Sequence, residues 1–494
     1  MNKRPLFLRF QVPGNRFFIY DTLRNLFFEV DNAVYDIMEY YGLSSEKEIV
    51  DKLSRKYPRE KLETSFKLIK EQEEKRGIFS EYRAPSMSFS HDGEPSIYGG
   101  YKDKCGQLIL EVTQRCNFRC KYCVFSGHYA YQRSHNKTDM SWRTAKAAVD
   151  WFLKSSKKAE EKAITFYGGE PLLRFELIKK IVEYVKKKKV NIHYSFTTNG
   201  YLLGNRKIMD FLAKNGVTMQ ISLDGPKEIH DKFRVNVGGG PTHAKIIENL
   251  KKLYDLYPEY YLKNVSCVVT LAYNSDFPKI YEFFKKDHGF PLKLQSVSDV
   301  EALDTDFYEI YGKEKTGDNT LAPLFQEYCD GIEKSKVQTA SESEILKTLF
   351  NSTFLHIHRR CSKKHTNMHM NGCCIPGQRR AFVQVNGNML ACERIGDKYS
   401  IGNVFKGGLN LKKIKSFIKA YVDLSVDDCR ECPIQNICKL CFKAAMQNGI
   451  MTIERKREQC REHIEELTRD MYRYLLIKSK NKDAFKFLDE VDVG

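Results

Sequence analysis

The 494-residue chain has no run of 18 apolar residues, so no segment reads as a membrane-spanning helix. Its first residues, MNKRPLFLRFQVPGNRFF, lack the continuous apolar core and the small-residue cleavage site of a secretory signal. Both absences point to a cytoplasmic protein. Acidic residues are in deficit, 63 against 81 lysines and arginines, for a net charge of +18. Such an excess suits a nucleic acid or an acidic peptide. No RRM, KH or zinc-finger spacing accompanies it, and many lysines fall on helix surfaces, as in KKIVEYVKKKKV (179–190). A lysine-rich solvated surface accounts for the charge, so neither nucleic acid nor a membrane is an expected partner.

Cysteine is plentiful and unevenly placed. Of fifteen, three lie within 116–123 and nine within 361–460. In a reducing compartment these are not disulfides, and clustering of this kind fits metal ligands. Cys105, Cys267 and Cys329 stand alone and read as buried free thiols.

The length predicts two to four domains. Residues 1–82 form a small module: strand-like RFFIYD (16–21) and NLFFEV (25–30), then three helices. Asp31 or Asn32 caps the first helix and Ser44 or Ser45 the second, while Gly77 ends the third. Residues 83–106, rich in Pro, Ser and Gly, read as a linker. From 107 to 300, strands alternate with helices: LILEV (108–112), AITFY (163–167), IHYSFTT (192–198), TMQISL (218–223), VSCVVTL (265–271) and LKLQSV (292–297). Six such units predict an α/β fold with a parallel sheet and outer helices. Residues 301–360 are a helical bridge, 361–460 a cysteine-rich region, and 461–494 a surface helix with a frayed tail.

The stretch CNFRCKYC places Cys116, Cys120 and Cys123 with three and two residues between them, just after the first of these strands. Three ligands suit a four-iron cluster with one iron left open. Zinc is the alternative, but it needs a fourth ligand that nothing nearby supplies. GGEP (168–171) follows the second strand, TTNG (197–200) the third and SLDGP (222–226) the fourth. This series resembles the radical S-adenosylmethionine (SAM) enzymes. The resemblance implies a partial (β/α)6 barrel with its chemistry at the C-terminal strand ends, and an open iron that binds the amino and carboxylate groups of SAM. It also implies reductive cleavage of SAM to a 5'-deoxyadenosyl radical. Gly168, Gly169 and Glu170 would then meet the methionine amino group, and Asn199, Ser222 and Asp224 other parts of SAM. Arg234 would pair with its carboxylate.

The later cysteines run Cys374-x12-Gly387-x4-Cys392, then Cys429-x2-Cys432-x5-Cys438-x2-Cys441, then Cys460. This resembles the SPASM extension of radical SAM enzymes, with two residues rather than three between Cys438 and Cys441. The resemblance implies two auxiliary four-iron clusters, three [4Fe-4S] clusters in all. Cys429, Cys432, Cys438 and Cys460 would hold the outer one. Cys374, Cys392 and Cys441 would hold the inner one, completed by Cys361 or, alternatively, Cys373. Structural zinc is the other reading of this region. Glu393, next to Cys392, stands where related formylglycine-forming enzymes have an aspartate base, and could take a proton.

Residues 1–82 resemble the winged-helix-like domain that grips leader peptides during ribosomal peptide maturation. Together these resemblances imply a peptide maturase of the thioether-forming (sactipeptide/ranthipeptide) type. It would act on a precursor peptide with a leader and be reduced by a small donor such as flavodoxin or ferredoxin. A maturase making carbon–carbon links or epimerised residues is an alternative, as is an anaerobic sulfatase-maturating enzyme.

Overall fold

The computed structural model describes residues 4–88, 103–272, 275–301, 304–312, 321–334, 342–360 and 367–491. Most of the predicted linker (89–102) and Cys361 lie outside these residues.

The N-terminal module is a three-stranded antiparallel sheet followed by three helices. To the expected hairpin of β2 (Arg16–Asp21) and β3 (Leu26–Val30) the structure adds β1 (Phe7–Val12), paired along β2. Helix α1 (Asn32–Tyr40) is capped by Asp31, whose carboxylate accepts from Val34 N at 2.8 Å. Helix α2 (Glu46–Leu53) starts in a capping box between Ser45 and Glu48, and α3 (Arg59–Arg76) ends at Gly77 in the left-handed region. Strand alternation splits this sheet between two cores. Ile19 packs with the helices, while Phe18 and Tyr20 face the main body of the protein.

The module is therefore docked rather than tethered. Thr22 Oγ1 donates to Pro433 O at 2.6 Å, and Asn436 Nδ2 donates to Thr22 O at 2.6 Å. Arg83 pairs with Glu431 at 2.9 Å. Beyond the module, β4 (Met87–Ser88) pairs in parallel with a later strand, β11 (Met368–His369).

The six predicted parallel strands are all present: β5 (Gln107–Thr113), β6 (Ala163–Gly168), β7 (His193–Thr198), β8 (Thr218–Ser222), β9 (Val265–Leu271) and β10 (Leu294–Asp299). They lie side by side in chain order, with β10 at one edge. Between them run α4 (Trp142–Ser155), α5 (Phe175–Lys187), α6 (Arg206–Lys214), α7 (Lys227–Phe233), α8 (His243–Leu256), α9 (Pro258–Asn264) and α10 (Phe277–Lys285). Apolar positions spaced three and four apart, such as Leu177, Ile178, Ile181, Val182 and Val185 of α5, bury one face of each longer helix.

The sheet continues past β5. Strand β12 (Arg380–Val383) runs parallel to β5, and β13 (Asn388–Leu390), β14 (Ser400–Asn403) and β15 (Gly408–Leu409) extend it antiparallel. The cysteine-rich region is thus built onto the barrel sheet by backbone hydrogen bonds, and Glu393 lies beside Arg380 of β12.

Helices α11 (Phe307–Tyr311), α12 (Ala322–Glu333) and α13 (Glu342–His358) occupy the predicted bridge. Helix α14 (Leu411–Arg430), the pair β16 (Met446–Gln447) and β17 (Ile450–Met451), and α15 (Ile453–Lys480) complete the chain. The C-terminal segment corrects the expectation of a surface helix and frayed tail. Helix α15 buries Leu467, Met471, Tyr474, Leu475 and Ile477, and Phe485 and Leu488 are buried beyond it. Tyr474 stacks on both Phe27 of the N-terminal sheet and Phe485. Its many charges hid this apolar stripe.

Replacing Asn436 by Ala leaves the buried Thr22 carbonyl without its donor. A loss of about 1–3 kcal/mol is expected, read as a lower urea midpoint at unchanged slope.

Candidate active site

The segment carrying the three cysteines leaves β5 and runs antiparallel to residues 233–237. Arg119 N donates to Val235 O at 2.8 Å, Lys121 N to Phe233 O at 3.0 Å, and Val237 N to Asn117 O at 3.1 Å. Cys116, Cys120 and Cys123 line one cavity of about 450 Å³ at the C-terminal strand ends, a volume typical of small-molecule sites. Cys116 Sγ accepts from Phe118 N and Cys123 Sγ from Phe125 N, both at 3.4 Å. Burial pushes the Cys120 thiol up to about 12, against the opposing charge of Arg234.

Three soft sulfur donors with backbone N–H groups aimed at two of them fit an iron–sulfur cluster. Among the described residues, no three metal-ligating side chains converge closely enough for a single ion.

The two glycines of GGEP line the cavity and press closely on neighbouring backbone. A Cβ on Gly168, whose φ is +145°, would lie 2.0 Å from Thr113 O; one on Gly169 would lie 2.0 Å from Arg115 O. Their small size lets the turn press on the backbone leading into Cys116, with Gly169 N donating to Thr113 O and Glu170 N to Arg115 O. The Glu170 carboxylate is buried, which raises its pKa, and its three donors pull the other way. It accepts from Thr198 Oγ1 at 2.7 Å, Asn199 N at 2.9 Å and Leu172 N at 3.0 Å. It thus ties the ends of β6 and β7 together. Asn199 Nδ2 donates to Asn117 Oδ1 at 2.8 Å, which fixes it against the cysteine loop.

Asp224 and Arg234 take different places from those expected. The Asp224 carboxylate lies behind the cavity and accepts from Arg234 Nε at 2.7 Å, Arg234 Nη2 at 3.0 Å and Thr270 N at 2.9 Å, and from the Tyr122 hydroxyl. Arg234 does line the cavity. With two of its nitrogens held by Asp224, it stands there as a buried charge beside Cys120 rather than as a free fork for a carboxylate. Ser222, Asn199 and Glu170 also reach the cavity wall. The Tyr122–Asp224–Arg234 set was not foreseen as a unit. Its signal lay in the short HDKFR helix, which returns Arg234 to the strand end carrying Asp224.

The opposite wall comes from the cysteine-rich region. Glu393 and Arg394 line the same cavity as the three cysteines. Glu393 Oε1 lies 3.7 Å from Arg380 Nη1, and Cys392 Sγ lies 3.5 Å from Glu393 Oε2. Tyr167, at the end of β6, packs edge-on against Phe382 between the two walls. Lys443 pairs with Glu301, and Asn448 N donates to Asp304 Oδ2 at 3.0 Å, which closes the side beyond β10.

A second cavity, of about 410 Å³, is lined by Cys373, Cys429, Cys432, Cys438 and Cys460. The last four are those that the resemblance assigns to the outer cluster. The inner set divides differently. Cys374 is exposed, whereas its neighbour Cys373 is half-buried, lines this second cavity and lies near Cys441. The spacing pattern favoured Cys374; the turn Met370–Cys373 aims the other thiol inward, with Cys373 N donating to Met370 O at 3.0 Å. Cys392 stands beside Glu393.

Residues 110–284 match the model of the Radical SAM superfamily. A cysteine-rich region follows this matched segment in the chain. The enzyme is 29% identical over 319 residues to an uncharacterized protein of Methanocaldococcus jannaschii, covering 64% of this chain and 94% of that one. It is 28% identical over 348 residues to a cysteine-type anaerobic sulfatase-maturating enzyme of Clostridium novyi, covering 67% of this chain and 86% of the relative. The solved structure of native anSMEcpe with bound AdoMet shares its fold. The TM-score is 0.52 and the identity 22%, over 76% of this chain and 99% of the other.

Two outcomes follow for the enzyme. Glu170→Gln turns an acceptor into a donor facing N–H or O–H groups, so a loss of about 1–3 kcal/mol is expected. Calorimetry should also show weaker binding of SAM. His230 is buried, and this burial lowers its pKa to about 3. Its ring nitrogens meet Asp224 N at 3.2 Å and Thr242 Oγ1 at 3.0 Å. The folded value lies below the unfolded one of about 6.5, so the unfolded state binds more protons. Stability from this group is present above about pH 6.5 and is lost on acidification toward pH 3, at about 1.4 kcal/mol per pH unit. Urea titrations between pH 6.5 and 5 should show that slope reduced by about this amount in His230→Gln.

Proposed function

We propose that the enzyme oxidises a side chain of a peptide substrate held between the barrel strand ends and the cysteine-rich region. Its cofactors would be SAM and three four-iron clusters. One observation carries the reading: Glu393 from one wall and Cys116, Cys120 and Cys123 from the other line a single cavity. When bound and reduced, the cluster at these three cysteines supplies the electron that cleaves SAM and creates a hydrogen-abstracting radical. Asn199 and Ser222 would orient SAM, and Arg234 would keep positive charge beside Cys120. Tyr167, backed by Phe382, would keep part of the cavity wall apolar, which shields a radical from water.

In this scheme the substrate carbon gives up one hydrogen atom, Glu393 takes one proton, and one electron leaves through the cysteine-rich region. Conversion of a cysteine or serine side chain to formylglycine is the outcome best supported, because a cysteine-type sulfatase-maturating enzyme matches along 86% of its own length. Thioether formation is the second reading, and the N-terminal module favours it. Strand β3 pairs only with β2 among the described strands, so its outer edge can accept a leader peptide as an added strand.

The test is anaerobic turnover of the reconstituted enzyme with SAM, a reductant and a cysteine-containing sulfatase peptide. A product that has exchanged its sulfur for a carbonyl oxygen and reacts with a hydrazide supports formylglycine. Loss of two hydrogens with one thiol consumed supports the thioether. An unmodified peptide with SAM cleaved would count against both. Glu393→Gln should still cleave SAM but form product about 10²-fold more slowly, in the range of a lost general base. The ratio of 5'-deoxyadenosine to modified peptide measures this.

A further inference from the structure

Lys456 is a buried cation that, among the described residues, forms no ion pair with a carboxylate. It lies in the first turns of α15, four residues before Cys460, and only 2% of it is exposed. Its Nζ stands 3.3 Å from Cys429 Sγ and 3.7 Å from Cys460 Sγ. The ring of Tyr421 lies near it, with Nζ 5.9 Å from the centroid. The neighbouring acids are engaged elsewhere: Asp428 holds Arg457 at 2.7 and 3.1 Å, and Glu458 pairs with Arg455.

An ammonium group is not kept in such a place by two neutral thiols, because burial of an unpaired charge is strongly unfavourable. Two metal-bound thiolates would balance it. We propose that Lys456 is the fixed internal counter-ion of the outer cluster, donating to the sulfurs of Cys429 and Cys460 and holding the reduction potential up. Reduction of a four-cysteine cluster adds one electron and hence one negative charge. A cation and its N–H donors at the ligand sulfurs stabilise the reduced form more than the oxidised one. Lys456 is thus a positioning residue for electron acceptance rather than a group that touches substrate. The inference rests on Cys429, Cys432, Cys438 and Cys460 being the cluster's ligands.

Chemical iron and sulfide assays on the reconstituted holoenzyme come first. Iron and sulfide for fewer than three clusters, with no signal lost in Cys432→Ala, would overturn the ligand reading itself. With that signal assigned, its midpoint is followed by EPR during a dithionite titration in wild type, Lys456→Met and Lys456→Arg. A more negative midpoint in Lys456→Met, with Lys456→Arg near wild type, is the expected result. Loss of the signal in Lys456→Met but not in Lys456→Arg also supports a counter-ion. An unchanged midpoint in Lys456→Met, or equal change or loss in both variants, overturns the proposal while leaving the ligand reading intact.

Discussion

The bidentate pair between Arg234 and Asp224 holds the centre of the molecule together. Asp224 follows β8, receives the backbone N–H of Thr270 from β9, and takes the Tyr122 hydroxyl from the cysteine loop. Arg234 belongs to the segment whose backbone pairs with that loop. One buried carboxylate thus joins two strand ends, a helix and the CNFRCKYC turn. A pair buried this deeply gains little stability on net, since both charges are stripped of water. Its value is that breaking it leaves an uncompensated charge, so the loop has one position. Glu170 does the same on the other side, linking β6 and β7 to the backbone of Asn199.

These anchors explain why the three cysteines face a common space without help from a neighbouring helix or a disulfide. They also explain the direction of the site. The parallel strands deliver the barrel motifs to one end of the sheet, and β12, added in parallel at β5, sets the cysteine-rich region alongside it. Directly after β13, which runs back along β12, Glu393 lies beside Arg380 and lines the cavity.

The sequence made much of this legible. The six barrel strands were readable because each is a short apolar run bounded by turn residues, and the N-terminal helices because Asp31, Ser45 and Gly77 mark their ends. Four of the second cavity's cysteines were readable from spacing. Other features were not. Strand β1 carries alternating Arg9 and Gln11, which masked its pairing. The apolar face of α15 was diluted by charge. Cys373 and Cys374 are adjacent, and only the local turn decides which thiol turns inward. The pairing of Asp224 with Arg234, ten residues on, was not readable either, because it depends on how the helix between them turns back.

The proposed reaction takes a hydrogen atom from a peptide side chain in the cavity shared by Cys116, Cys120, Cys123 and Glu393. The most direct measurement uses a sulfatase peptide whose target cysteine is deuterated at Cβ, incubated anaerobically with the reconstituted enzyme, SAM and a reductant. Deuterium recovered in 5'-deoxyadenosine is the expected result. Unlabelled 5'-deoxyadenosine formed alongside a modified peptide would contradict this reaction.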